Sequence, residues 1–101
     1  MRVSELQRHI AELYLEKDKR RGVDGTLLWL IEEVGEATEA ARRDERENLA
    51  EELADVVAWT ASVANLYGVD LEAALAAKYP DACKRCGGKP CACAETPAAP
   101  L

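Results

Sequence analysis

From Leu27 to Leu66, apolar side chains recur three and four residues apart, and the run breaks only around Asp44, a helix-capping residue with Glu47 three positions on. So short a connection forces the flanking helices to lie side by side and antiparallel. The helix before it is expected to start near Asp24 or Thr26 and run to about Arg43, packing through Leu27, Leu30, Ile31, Val34 and Ala41. The helix after it carries Leu49, Leu53, Val56, Val57, Val63 and Leu66 and stops at Gly68. Upstream, Val3, Leu6, Ile10 and Leu13 mark a helix capped by Ser4 and running to about Lys19, and Gly22 to Thr26 reads as a loop. Downstream, Asp70 caps a short fourth helix from Leu71 to about Lys78, which Pro80 ends. Much of the 49% hydrophobic content is alanine and leucine, and phenylalanine is absent, which disfavours a large sheet. The expected fold is all-α, an antiparallel four-helix bundle. A chain of 101 residues buries only a modest core, so oligomerisation is expected to complete it.

Three segments are expected: a helical domain over residues 1–80, a Cys-rich knuckle over 81–93 and a disordered tail over 94–101. The net charge of −6, from 19 acidic and 13 basic residues, makes the surface repel nucleic acid and anionic membrane, so neither is expected as a partner. No stretch has the length of an apolar span, and Met1-Arg2-Val3-Ser4-Glu5 lacks the apolar centre of a signal peptide. The expectation is a soluble, cytoplasmic protein.

Carboxylates carry the chemistry. Glu33 and Glu36 share one helix face at i, i+3, as do Glu52 and Asp55 on the next helix. Such pairs on an acid-rich chain are ordinarily a solvated surface. Their register makes them specific. Glu36 and Glu52 lie eight residues before and after Asp44, and Glu33 and Asp55 eleven before and after. At helical rise the first pair stands ~12 Å from the turn and the second ~16 Å, so four carboxylates can meet at matching heights. Anions so close repel or take up protons unless a cation neutralises them. Hard oxygens without thiolate or imidazole neighbours favour magnesium, with manganese as the alternative. A di-iron carboxylate bundle would need Glu-x-x-His motifs, and the only histidine is His9.

Glu32-Glu33-x-x-Glu36, fifteen residues, then Glu52-x-x-Asp55 resembles the EExxE and ExxD signature of MazG-like and dimeric dUTPase-like pyrophosphohydrolases. Leu30 to Ala37, Glu51 to Val56, Gly68 to Glu72 and Lys78-Tyr79 also resemble that family. The resemblance implies a homodimer or homotetramer with Glu33, Glu36, Glu52 and Asp55 as magnesium ligands and Glu32 as an accessory ligand or water-orienting group. It further implies magnesium-dependent hydrolysis of a nucleoside triphosphate, a deoxynucleotide or non-standard nucleotide, to nucleoside monophosphate and pyrophosphate. Glu32 or Glu36 would accept the proton, with Glu33 beside them in the catalytic set. Two alternatives stay open: a non-catalytic helical interaction module with a zinc knuckle, and hydrolysis of another pyrophosphate compound.

Trp29, four residues before Glu33, and Trp59, four after Asp55, continue the acid-bearing faces and would stack on a nucleobase or pack as hairpin core. Lys78 resembles a family lysine expected to contact phosphate, and Arg20 and Arg21 are further loop candidates. Asn65 is read as a sugar or base contact or as a locally bonded helix residue. Cys83, Cys86, Cys91 and Cys93, in the order C-x2-C-x4-C-x-C, are enough thiolates for a zinc knuckle, with reduced thiols and disulfides as competing readings.

Overall fold

The computed structural model describes residues 1–95 and contains three helices: α1 (Val3–Arg42), α2 (Arg46–Tyr67) and α3 (Leu71–Lys78). No strand occurs among the described residues, and no helix there is long and apolar enough to cross a membrane. The expected disordered tail lies, from residue 96 onward, outside the described residues.

The two N-terminal helices expected from the sequence are one element interrupted at a single residue. Gly22 adopts φ 86° and ψ 169°, a conformation essentially reserved for glycine, so the five-residue loop contracts to a kink. The buried Thr26 spans it, donating from Oγ1 to the Gly22 carbonyl at 2.8 Å. Ser4 lies inside α1. Arg2 is the N-cap, and its N–H donates to Glu5 Oε1 at 3.2 Å.

Asp44 ends α1 rather than opening α2. It takes a left-handed φ of 55°, and its N–H and that of Glu45 reach back to the carbonyls of Ala41 and Ala40. Aspartate tolerates this conformation better than most residues, which leaves Glu45 as the N-cap of α2. Gly68 closes α2 at φ 67°, with the Val69 N–H on the Ala64 carbonyl at 2.9 Å.

The packed face also differs from the expected one. Thr26, Glu33, Ala37 and Ala40 are the buried stripe of α1 beyond the kink, and Ala61, Ser62 and Ala64 that of α2. Ile31 and Val34, expected inside, are 66% and 46% exposed, and Leu53 and Val57 are about half exposed. Spacing alone identifies a stripe without saying whether the chain itself covers it. Here the small residues let α1 and α2 approach, Leu30, Leu49, Val56, Val63 and Leu66 are half-buried beside them, and Ile31, Val34, Leu53 and Val57 lie outside.

Gln7 ties α1 to the segment after α2, donating to the Val69 carbonyl at 2.7 Å and accepting from the Leu71 N–H at 3.0 Å. Asn65 donates to the Gln7 carbonyl at 3.2 Å, so its partner is local. The chain divides into two compact units, Met1–Leu71 and Glu72–Leu101. In the second, no described residue is buried.

Candidate metal and nucleotide site

Glu33 occupies the position that a core residue would hold. It follows Thr26 by seven residues and precedes Ala37 by four and Ala40 by seven, so helical geometry places it on the seam facing α2, where it is only 9% exposed. Glu36 sits nearly one turn further along, exposed, and Glu52 comes from α2, half-buried. One oxygen from each of these three carboxylates lies within 4.8 Å of the others. Oε2 of Glu33 and Oε2 of Glu52 are buried with no hydrogen-bond partner.

The electrostatics follow from this crowding. Burial raises the Glu33 carboxyl, and the charges of Glu36, Asp55 and Glu32 push the same way, against a lowering hydrogen bond with Glu52. Glu36 is raised chiefly by its hydrogen bond with Glu52, and Glu52 chiefly by its hydrogen bond with Glu33. Left to themselves the three acids hold protons more tightly than free carboxylates. Two buried oxygens without partners and a compact set of hard donors fit a divalent cation.

Asp55 lies outside the three-carboxylate group. It is exposed and lines a cleft of about 520 Å³ with Asp18, Arg21 and Trp59. Glu32 is also exposed, and its charge raises both Glu33 and Glu36. The two tryptophans, mirrored about residue 44, stack on each other with ring centres 5.7 Å apart and planes 7° from parallel. The guanidinium of Arg21 lies 4.8 Å from the centre of the Trp59 ring. Trp59 lines the cleft and Trp29 does not.

Asp18 was missed in the sequence. It is 1% exposed and receives the Arg21 guanidinium at 2.8 Å, while the same nitrogen reaches Thr26 Oγ1 at 3.3 Å. Its second oxygen, Oδ2, is buried and unpartnered. The i, i+3 spacing of Asp18 and Arg21 was the available signal, obscured by charged neighbours on both sides. Gly25 makes room for the arrangement, because a Cβ there would stand 2.7 Å from Arg21 Cγ.

Lys78 belongs to the second unit, with its Nζ 6.0 Å from the centre of the Tyr79 ring. That unit also gathers Cys83, Cys86, Cys91 and Cys93, all free thiols, with their sulfurs within 4.8 Å of one another. Backbone N–H groups of Cys86 and Arg85 lower Cys83 to about 6, and those of Ala92 and Gly88 lower Cys86. Hydrogen bonds with Cys91, then Cys83 and Cys86, push Cys93 up to about 12.

No curated protein matches the chain. Residues 21–86 match the MazG nucleotide pyrophosphohydrolase domain. The match holds the kink, both tryptophans and every acid of the cluster, while Cys91 and Cys93 lie beyond it. Because it spans more than half of the sequence and the whole of the acid-bearing hairpin, this chain belongs to the MazG nucleotide pyrophosphohydrolase family.

Proposed function

We propose that the chain hydrolyses nucleoside triphosphates, deoxynucleotides or non-standard nucleotides, between the α- and β-phosphates to give nucleoside monophosphate and pyrophosphate. The observation that carries this reading is the convergence of Glu33, Glu36 and Glu52 within 4.8 Å, two of them with buried oxygens lacking partners, on the hairpin that the family match covers. Members of the family typically depend on a divalent metal. Glu33, Glu36 and Glu52 would hold magnesium, with Asp55 completing the set and manganese as a substitute. Bound there, the ion supplies charge neutralisation for the phosphates and acidifies a water molecule.

The protein's own groups do the rest. Glu36 or Glu32, both exposed, accepts the proton as water oxygen bonds to phosphorus and the bridging oxygen leaves with pyrophosphate. Arg21, fixed by Asp18 and Thr26, presents positive charge to the cleft, and Trp59 offers an aromatic wall beside it. Trp29 supports that wall from behind through the stack. Lys78 enters as a phosphate contact on the family resemblance alone.

The exposed side chains of Leu28, Ile31, Leu53 and Val57 support a homodimer or homotetramer, because the hairpin alone leaves them 48–67% exposed. Pyrophosphate release from a panel of nucleoside triphosphates, with magnesium or with chelator, tests the activity. Release is expected only with metal, and Glu52→Gln is expected to lower kcat/KM by roughly a hundredfold or more. Metal-independent release, or an unaffected variant, would overturn the assignment.

A further inference from the structure

The second unit lacks what ordinarily holds a fold together. Between Glu72 and Glu95 no residue is buried, and α3 contributes no buried side chain. A segment this small without an apolar core needs a cross-link or a bound metal. It nevertheless arranges four sulfurs around one point. Cys83 and Cys93 Sγ stand 3.7 Å apart, too far for a disulfide of about 2.05 Å. That separation matches the edge, about 3.8 Å, of a tetrahedron whose sulfurs lie about 2.3 Å from a central zinc.

The backbone around the sulfurs is organised in the same sense. The Cys83 N–H donates to the Gly88 carbonyl at 2.8 Å and the Gly87 N–H to the Cys83 carbonyl at 2.7 Å, which closes the first turn. Gly87 takes a φ of 71°, and a Cβ on Gly88 would stand 2.9 Å from the Pro90 carbonyl oxygen and 3.4 Å from Cys86 Sγ. The Gly88 and Ala92 N–H groups point at Cys86 Sγ at 3.4 and 3.3 Å, and the Cys93 N–H at Cys91 Sγ at 3.4 Å. Such donors stabilise sulfur that carries negative charge. Lys84, Arg85 and Lys89, all exposed, add three positive charges around four thiolates and a divalent ion, whose sum is −2.

We infer that Cys83, Cys86, Cys91 and Cys93 bind one zinc ion in a closed, four-sulfur structural site that substitutes for the missing core of the C-terminal unit. Four protein ligands leave no position for substrate, so the site is structural. Sulfurs this close enclose one ion and not a multi-iron cluster. Binding displaces the thiol protons to solvent and changes no oxidation state.

The test uses the full chain, reduced and loaded with zinc chloride. One zinc per chain should survive dialysis and be released in step with modification of four thiols by a mercurial. Cobalt substituted for zinc should give the sulfur-to-metal charge-transfer and strong ligand-field bands of a tetrahedral tetrathiolate. Cys86→Ser and Cys91→Ser should each weaken zinc retention at least tenfold and lose that spectrum. The bulk of the helical circular dichroism, which comes from α1 and α2, should be retained in both variants, and Glu33→Gln should keep its zinc. Three results would overturn the inference: less than a tenth of a zinc per loaded chain, iron bound preferentially from a mixture of the two metals, or an unchanged cobalt spectrum in both serine variants. The wild-type spectrum decides the matter if a variant fails to fold.

Discussion

Glu33 sets the energetics at the residue scale. A carboxylate on a packed seam with an unpartnered oxygen weakens the metal-free fold when ionised. Glu33, Glu36 and Glu52 all have raised proton affinity in the folded chain. For a raised carboxyl, the folded state binds more protons than the unfolded one. The stabilising contribution is therefore complete below the ordinary carboxylate range and is lost as pH rises through the raised values. In chelator near about pH 7, Glu33→Gln should melt at a higher temperature than the parent, and the gap should close toward about pH 4. Added magnesium should raise the parent's melting temperature and leave that of the variant nearly unchanged. Thermal melts followed by circular dichroism, with and without metal, check both statements. A variant less stable than the parent at every pH in chelator would show that the buried acid is not a source of strain.

Among the elements, α1 depends on its kink. Gly22 has open space where a Cβ would stand, so the cost of adding one comes from the backbone conformation alone. Gly22→Ala should destabilise the fold by about 1–3 kcal/mol, measured by denaturant unfolding. It should also disturb the Arg21–Asp18–Thr26 group that borders the kink. A loss under half a kilocalorie, at the scale of a neutral surface change, would mean that α1 passes residue 22 without the constraint described. The sequence marked this place with two glycines but implied a five-residue loop. A single residue suffices because Thr26 supplies the hydrogen bond that the interrupted helix lacks.

Taken as a whole, the molecule places several of its large apolar side chains where one copy cannot cover them. Leu28 and Ile31 are 67% and 66% exposed, while among the described residues the buried hydrophobic set is Ile10 and four alanines. A core of that size supplies little stability by area, whereas four to six leucine-class side chains buried at a subunit interface each contribute about 1.5–3 kcal/mol. Ile31→Glu should therefore convert an oligomer to monomer in light scattering and lower the melting temperature. Arg8→Glu, at an exposed site that forms an i, i+4 pair with Glu12, should shift the melting temperature far less. An Ile31→Glu protein with unchanged mass and stability would rule this face out as the interface.

Sequence alone was sufficient for the helical class, the turn near residue 44, the antiparallel register and the acid signature, because these follow from local periodicity and from equal counts on either side of a short connection. The meeting of Trp29 with Trp59, fifteen residues before and after Asp44, follows that register directly. Periodicity could not select which stripe of each helix turns inward, since an apolar stripe and an alanine stripe repeat equally well. Tertiary packing chose the small residues, and so put Glu33 on the seam and left Ile31 outside. It also brought Thr26 from the far side of the kink to the Asp18–Arg21 pair and gathered four sulfurs at one point, neither of which a spacing rule encodes. Such contacts depend on where the backbone bends, and here the bends coincide with positive-φ residues at 22, 44, 68 and 87.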